Sequence, residues 1–176
     1  MRNTILILTL LVVSSGLSAQ AQREVTAKGT ERITKEVRHE ILMLPYFGVF
    51  DNIDFKLSGY QVTLMGQVTN PTLKKDAENV VKHIEGVEGV TNQIEVLPTS
   101  SMDDGLRLRL YRAIYGFPSL EKYAMPVVKP IRILVKNGHV TLEGVVDSEN
   151  DKNVAGIQAN TVSGIFSVTN NLRVEK

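Results

Sequence analysis

The chain repeats itself. Residues 53–96 lie over residues 131–174 at a constant shift of 78, without a gap in 44 positions. Ile53-Asp54-Phe55 falls on Ile131-Arg132-Ile133, and Val62-Thr63-Leu64-Met65-Gly66 falls on Val140-Thr141-Leu142-Glu143-Gly144. Further on, Val90-Thr91-Asn92-Gln93-Ile94 falls on Val168-Thr169-Asn170-Asn171-Leu172. Self-similarity at a fixed period means one structural unit used twice.

Each copy reads α-β-β-α-β. Ile33, Val37, Ile41 and Leu44 recur at helical spacing, as do Leu106, Leu110, Ala113 and Ile114. Ile53, Phe55 and Leu57, then Val62 and Leu64, alternate with other residues as in half-buried strands. Ser58-Gly59-Tyr60 and Lys136-Asn137-Gly138 supply the hairpin turns. Asn70 and Pro71 open a second helix with the apolar face Leu73, Ala77, Val80, Val81 and Ile84, and Gly86 stops it. A last strand is expected over Val90 to Leu97. In the second copy Ser148 and Asp151 have capping-box spacing, and Ala155, Ala159 and Val162 keep the core register.

The expected fold is therefore α+β: two tandem α-β-β-α-β units, each a three-stranded mixed sheet with two helices on one face. The expected boundaries are a signal peptide at 1–21, an N-terminal linker at 22–31, a first domain at 32–98, a linker at 99–104 and a second domain at 105–176. Asp103-Asp104 is expected to help cap the next helix. Gly66, Gly86, Gly138, Gly144 and Gly164 are read as structural. Gly66 and Gly144 fit a bulge or the close packing of a helix over the sheet.

The compartment follows from the first residues. Arg2 precedes an apolar run from Ile5 to Val13 broken only by Thr9, and Ala19-Gln20-Ala21 fits a signal-peptidase site before Gln22. The run is too short to span a membrane, which takes about 20 residues. The sequence has no cysteine, which excludes lipoprotein processing and disulfides. The expected outcome is export through a cleavable signal peptide, and the periplasm is the location that the family resemblance given below implies. Cleavage would leave 155 residues with 19 basic and 19 acidic side chains, so net charge gives no argument for nucleic acid.

The usual chemistry is missing from the motifs. His39, His83 and His139 have no second ligand at metal spacing, and Asp51 and Asp54 lack partners for acid–base work. Gly86-Val87-Glu88-Gly89 has the form of a nucleic-acid clamp, but it carries Glu88 and leads into a strand. No catalytic residue, metal or cofactor is expected, and the chain is read as a non-enzyme.

Val62 to Val68 with Gly86 to Val96, and Val140 to Val146 with Gly164 to Val174, resemble the BON domain. Both copies carry the pattern of Val-Thr-Leu-x-Gly-x-Val, a helix, and a closing strand with asparagine. Double-BON chains of this layout are similar to osmotically inducible periplasmic proteins. The resemblance implies a binding module tied to phospholipid membranes, envelope integrity and osmotic stress, with no catalytic residues.

The copies diverge most in their opening helices. The second copy's helix has Leu108, Tyr111, Arg112 and Tyr115 opposite its core stripe, with Arg107 and Arg109 on the flanks and Phe117 just beyond. Tyrosine suits the headgroup boundary and arginine suits phosphate. Arg107, Leu108, Tyr111, Arg112, Tyr115 and Phe117 are therefore candidates for peripheral contact with anionic phospholipid. The alternatives are an envelope-protein surface or packing against the first unit.

Overall fold

The structure is a computed structural model that describes residues 13–175, with side chains from residue 27 onward. The first unit runs α1 (Val13–Leu42), β1 (Asn52–Ser58), β2 (Gln61–Val68), α2 (Pro71–Lys82), β3 (Gly89–Asn92) and β4 (Glu95–Val96). The second runs α3 (Ser101–Tyr115), a 3-10 helix (Pro118–Ala124), β5 (Ile131–Lys136), β6 (His139–Val146), α4 (Glu149–Asn160), β7 (Ser167–Asn170) and β8 (Arg173–Val174). In each sheet the middle strand pairs antiparallel with its hairpin partner and parallel with the two closing strands. The α-β-β-α-β unit and its duplication are as the sequence implies.

The closing strand is not continuous. Asn92 interrupts it: its amide donates to Lys74 O at 2.7 Å and to the Glu78 carboxylate at 3.1 Å, while its own oxygen accepts from Ile94 N at 3.1 Å. The chain steps inward there and buries Ile94. Asn170 repeats the device with Lys152 O and Leu172 N, and Leu172 is buried in turn. The asparagine in the repeated Val-Thr-Asn ties the last strand to the helix above it.

Capping explains the helix starts. Asn70 accepts from Thr72 N at 2.9 Å with Pro71 at the first position. Ser148 accepts from Asp151 N at 3.1 Å, but the Asp151 carboxylate goes elsewhere, so the capping box is half-formed. Ser100 caps α3 by accepting from Asp103 N, and Asp103 and Asp104 fill its first turn. The helix therefore begins inside the predicted 99–104 linker. Asp103 itself binds the Asn137-Gly138 turn, accepting both amide protons at 2.9 Å.

Residues 22–31, expected as a linker, are helical. Thr30 closes onto Ala27 O at 2.9 Å, Lys35 pairs with Glu31 at 2.7 Å, and no proline interrupts the run. The predicted cleavage position falls within α1, while residues 1–12, most of the apolar run, lie outside the described residues.

Gly66 and Gly144 have φ of +118°, and a Cβ there would lie 2.2 Å from Asn52 O and 1.9 Å from Pro130 O. The constraint is the neighbouring strand's carbonyl, not a bulge or a helix overhead.

Each unit has its own core between sheet and helices. The hairpins differ. In β1 only Ile53 is buried and Asp54 and Lys56 are exposed, whereas Ile131 to Val135 are all buried in β5. Something covers the second face of β5, and it comes from the first unit.

Candidate functional site

The chemistry of α3 follows from the edge it lies beside. Lys136 and His139 pair across a two-residue turn, so residues 132, 134 and 136 bond to β6. Ile131, Ile133 and Val135 then aim their backbone groups outward. All three are met. The Tyr115 hydroxyl donates to Ile131 O at 2.6 Å and accepts from Ile131 N at 3.2 Å. Ile133 N donates to Val49 O at 2.9 Å. Arg107 donates to Val135 O at 2.6 Å and is itself held by Asp104 at 2.5 Å. An edge strand that would template another chain is sealed by two side chains of α3 and one loop of the first unit. Burial pushes the Tyr115 phenol well above its usual range, which keeps it a proton donor.

This overturns part of the face expected from the sequence. Arg107 and Tyr115 are each 4% exposed and belong to the interior. Tyr111 is half-buried, with its ring 4.9 Å from Tyr115 and edge-on to Phe50 at 6.4 Å. Phe117 is half-buried against the second core. A helical wheel fixes where Cβ points, but these long side chains lean over the flank that faces β5. Leu108 and Arg112 remain exposed, and Arg109 and Met102 share their side of α3. Leu108 is 53% exposed and Met102 52%. No free carboxylate interrupts this stripe, because Asp103 holds the turn and Asp104 holds Arg107.

The loop before β1 does the covering. Arg132 lies over the Phe47 ring at 4.5 Å and donates to Gly48 O at 2.8 Å. Buried Asp51 shapes that loop, accepting from Gly48 N at 2.9 Å, Thr69 N at 2.7 Å and Thr69 Oγ1 at 2.8 Å. Lys136 reaches Glu95 of β4 at 2.5 Å. The two units are thus packed together, and the Tyr111–Tyr115 side of α3 takes part through Phe50.

A second polar cluster fixes the 3-10 helix. The Tyr123 hydroxyl donates to Asp151 at 2.8 Å and accepts from Asp147 N at 2.8 Å. Lys122 lies 2.9 Å from both the Asp147 and Asp151 carboxylates. Burial raises Asp151, but hydrogen bonds from Lys122, Tyr123 and Ser148 outweigh it and hold the group below its usual range. Hydrogen bonds to Asp147 and Asp151 push Lys122 up. Among the described residues no cluster of His, Asp and Glu has the makings of a metal site. His83 contacts Asn79 O at 2.6 Å, His139 contacts Ser167 Oγ at 2.8 Å, and His39 is exposed.

The BON domain pattern matches residues 29–98 and 120–176. The chain belongs to the BON domain family. Both matches fall on the duplicated units, and α3 lies in the interval between them. No curated protein matches the sequence. CdsD, a structural protein of the type III secretion system of Chlamydia trachomatis, aligns at 14% identity over 82% of this chain and 94% of its own, with a TM-score of 0.29. The C-terminal domain of CdsD aligns at 14% identity over 81% and 96%, with a TM-score of 0.28. Overlap that slight carries no argument about role. BON membership points to a non-catalytic, envelope-associated protein. Among the described residues no helix is long and apolar enough to cross a membrane.

Proposed function

We propose that this double-BON protein is an exported, peripheral envelope protein that touches anionic phospholipid through the outer face of α3, in envelope maintenance or osmotic stress. The observation that carries the reading is the exposed, acid-free stripe of Met102, Leu108, Arg109 and Arg112. An interfacial helix presents apolar side chains to the acyl boundary and arginines to the phosphates beside it. Two arginines at about 1 kcal/mol each near an anionic surface give weak, reversible contact. The leader-like sequence at 1–21 supports delivery to the periplasm. Arg107 and Tyr115, bonded to the edge of β5, fix the helix that carries the stripe.

Co-sedimentation with vesicles tests the reading. The protein should sediment with phosphatidylglycerol-containing vesicles, stay in solution with pure phosphatidylcholine, and lose binding as salt rises. Arg109→Glu/Arg112→Glu should reduce the bound fraction at least about tenfold, given about 1 kcal/mol per basic residue, with an unchanged melting temperature. Equal sedimentation of the variant and the parent protein sinks the proposal.

A further inference from the structure

The first unit has the same edge without the seal. Ser58 and Gln61 pair across a two-residue turn, so Ile53, Phe55 and Leu57 aim their backbone groups outward, as Ile131, Ile133 and Val135 do in the second unit. Phe55 N is closed only by the neighbouring Asp54 carboxylate, at 2.9 Å. Among the described residues no other group bonds to the outward edge of Ile53 or Leu57. The reason lies in the helix. Ile33, Val37 and Ile41 of α1 correspond to Leu106, Leu110 and Ile114 of α3, which sets Thr34, Arg38 and Leu42 where α3 has Arg107, Tyr111 and Tyr115.

In place of the tyrosines is a groove of about 480 Å³. Arg38, Leu42 and Phe55 line its first-unit side, and Lys129, Arg132 and Arg173 line its second-unit side. Only Asp54 and Glu143 among its lining residues are acidic, against Arg38, Lys129 and Arg173, while the fourth cation, Arg132, is buried on Gly48 O and the Phe47 ring. On β5 the matching edge is met by a turn, Gly48 to Asp51, whose Val49 carbonyl accepts from Ile133 N at 2.9 Å.

We infer that the open edge of β1 binds an extended, acidic segment of a partner protein by strand addition. The partner's backbone pairs with Ile53, Phe55 and Leu57, a span of about five residues at roughly 3.4 Å each. Its carboxylates meet Arg38 on one side and Arg173 on the other. The site is separate from the lipid-facing stripe of α3, and neither depends on the other.

The test uses the whole protein and a fluorescent peptide alternating valine and glutamate. Its anisotropy should rise on binding. A lysine-for-glutamate peptide and a peptide broken by a central proline should each bind at least tenfold more weakly. Amide exchange at Ile53 and Leu57 should slow in the complex. Leu42→Tyr, which gives α1 the sealing residue of α3, should lower peptide affinity at least tenfold while leaving vesicle binding intact. Phe55→Pro removes one outward N–H and should do the same. The proposal is overturned by absence of peptide binding, by binding without protection at Ile53 and Leu57, by indifference to both substitutions, or by anionic vesicles protecting these amides when the peptide does not.

Discussion

The two hairpins start from matching sequence and end in different environments. β5 is covered on both faces and along its edge, by Tyr115, Arg107 and the Val49 carbonyl. β1 has an exposed second face and an open edge. The sheets did not create this difference, since Gly66 and Gly144 share one φ and the registers match. The opening helices did, together with the loop before β1 that lies on β5. Within a duplicated fold the sheet sets the frame, and the helix beside it decides whether an edge is closed or left available.

The largest effect should come from the cores. Leu64 and Leu142 are both 0% exposed in equivalent strands, and truncating either to alanine should cost about 2–5 kcal/mol. Because the units pack through Phe47, Val49 and Phe50, each change should lower one shared calorimetric transition. Two transitions, with only one displaced, would break the view that the units stand as one body.

Tyr115→Phe should cost about 1–3 kcal/mol, since it strands two buried backbone groups. The same-position change in the first unit, Leu42→Ala, should cost less than half as much in urea melts. Equal costs would remove the contrast between a sealed and an open edge. Phe50→Ala comes next, at about 0.5–1.5 kcal/mol for the lost aromatic contact with Tyr111, and should speed amide exchange at Ile133.

Acid should give the smallest and most selective effect. Asp151 sits below its ordinary value of 3.8 in the folded protein. Its contribution is therefore complete above that value and is lost as pH falls through the folded value. Glu31, Glu78 and Glu95 are also lowered, but their side chains are 66%, 32% and 42% exposed against 8% for Asp151. Solvent screens them more. Signals around the 3-10 helix should loosen before those of the first unit when pH drops below about 4, as followed by NMR. Asp151→Asn should flatten that acid response.

Much of this was legible in the residues. The repeat located both sheets, and Asn70-Pro71 and Ser148 marked helix starts that the capping bonds explain. The five candidates on α3 were read from angular position alone, which does not reveal that Tyr115 bends back onto a strand sixteen residues later. A signal for that covering was present. Ile131-Arg132-Ile133-Leu134-Val135 has leucine where the first copy has Lys56, and a nearly unbroken apolar run indicates burial on both faces. Asp51 and Asp103 could not be read this way. Their carboxylates serve backbone amides that only the folded chain brings near. The helical 22–31 segment has weak amphipathic patterning, so composition suggested a linker where local bonds favour continuation.

The clamp between the units has a mechanical consequence. The first unit grips β5 from both ends of its sheet, through Val49 ahead of β1 and Glu95 in β4. The short stretch from Pro98 to Ser100 between them is then a tether and not a hinge. Relative orientation is set by the edge of a strand, so inserting flexible residues in the tether leaves the angle between the units unchanged, while disrupting the grip on β5 frees it.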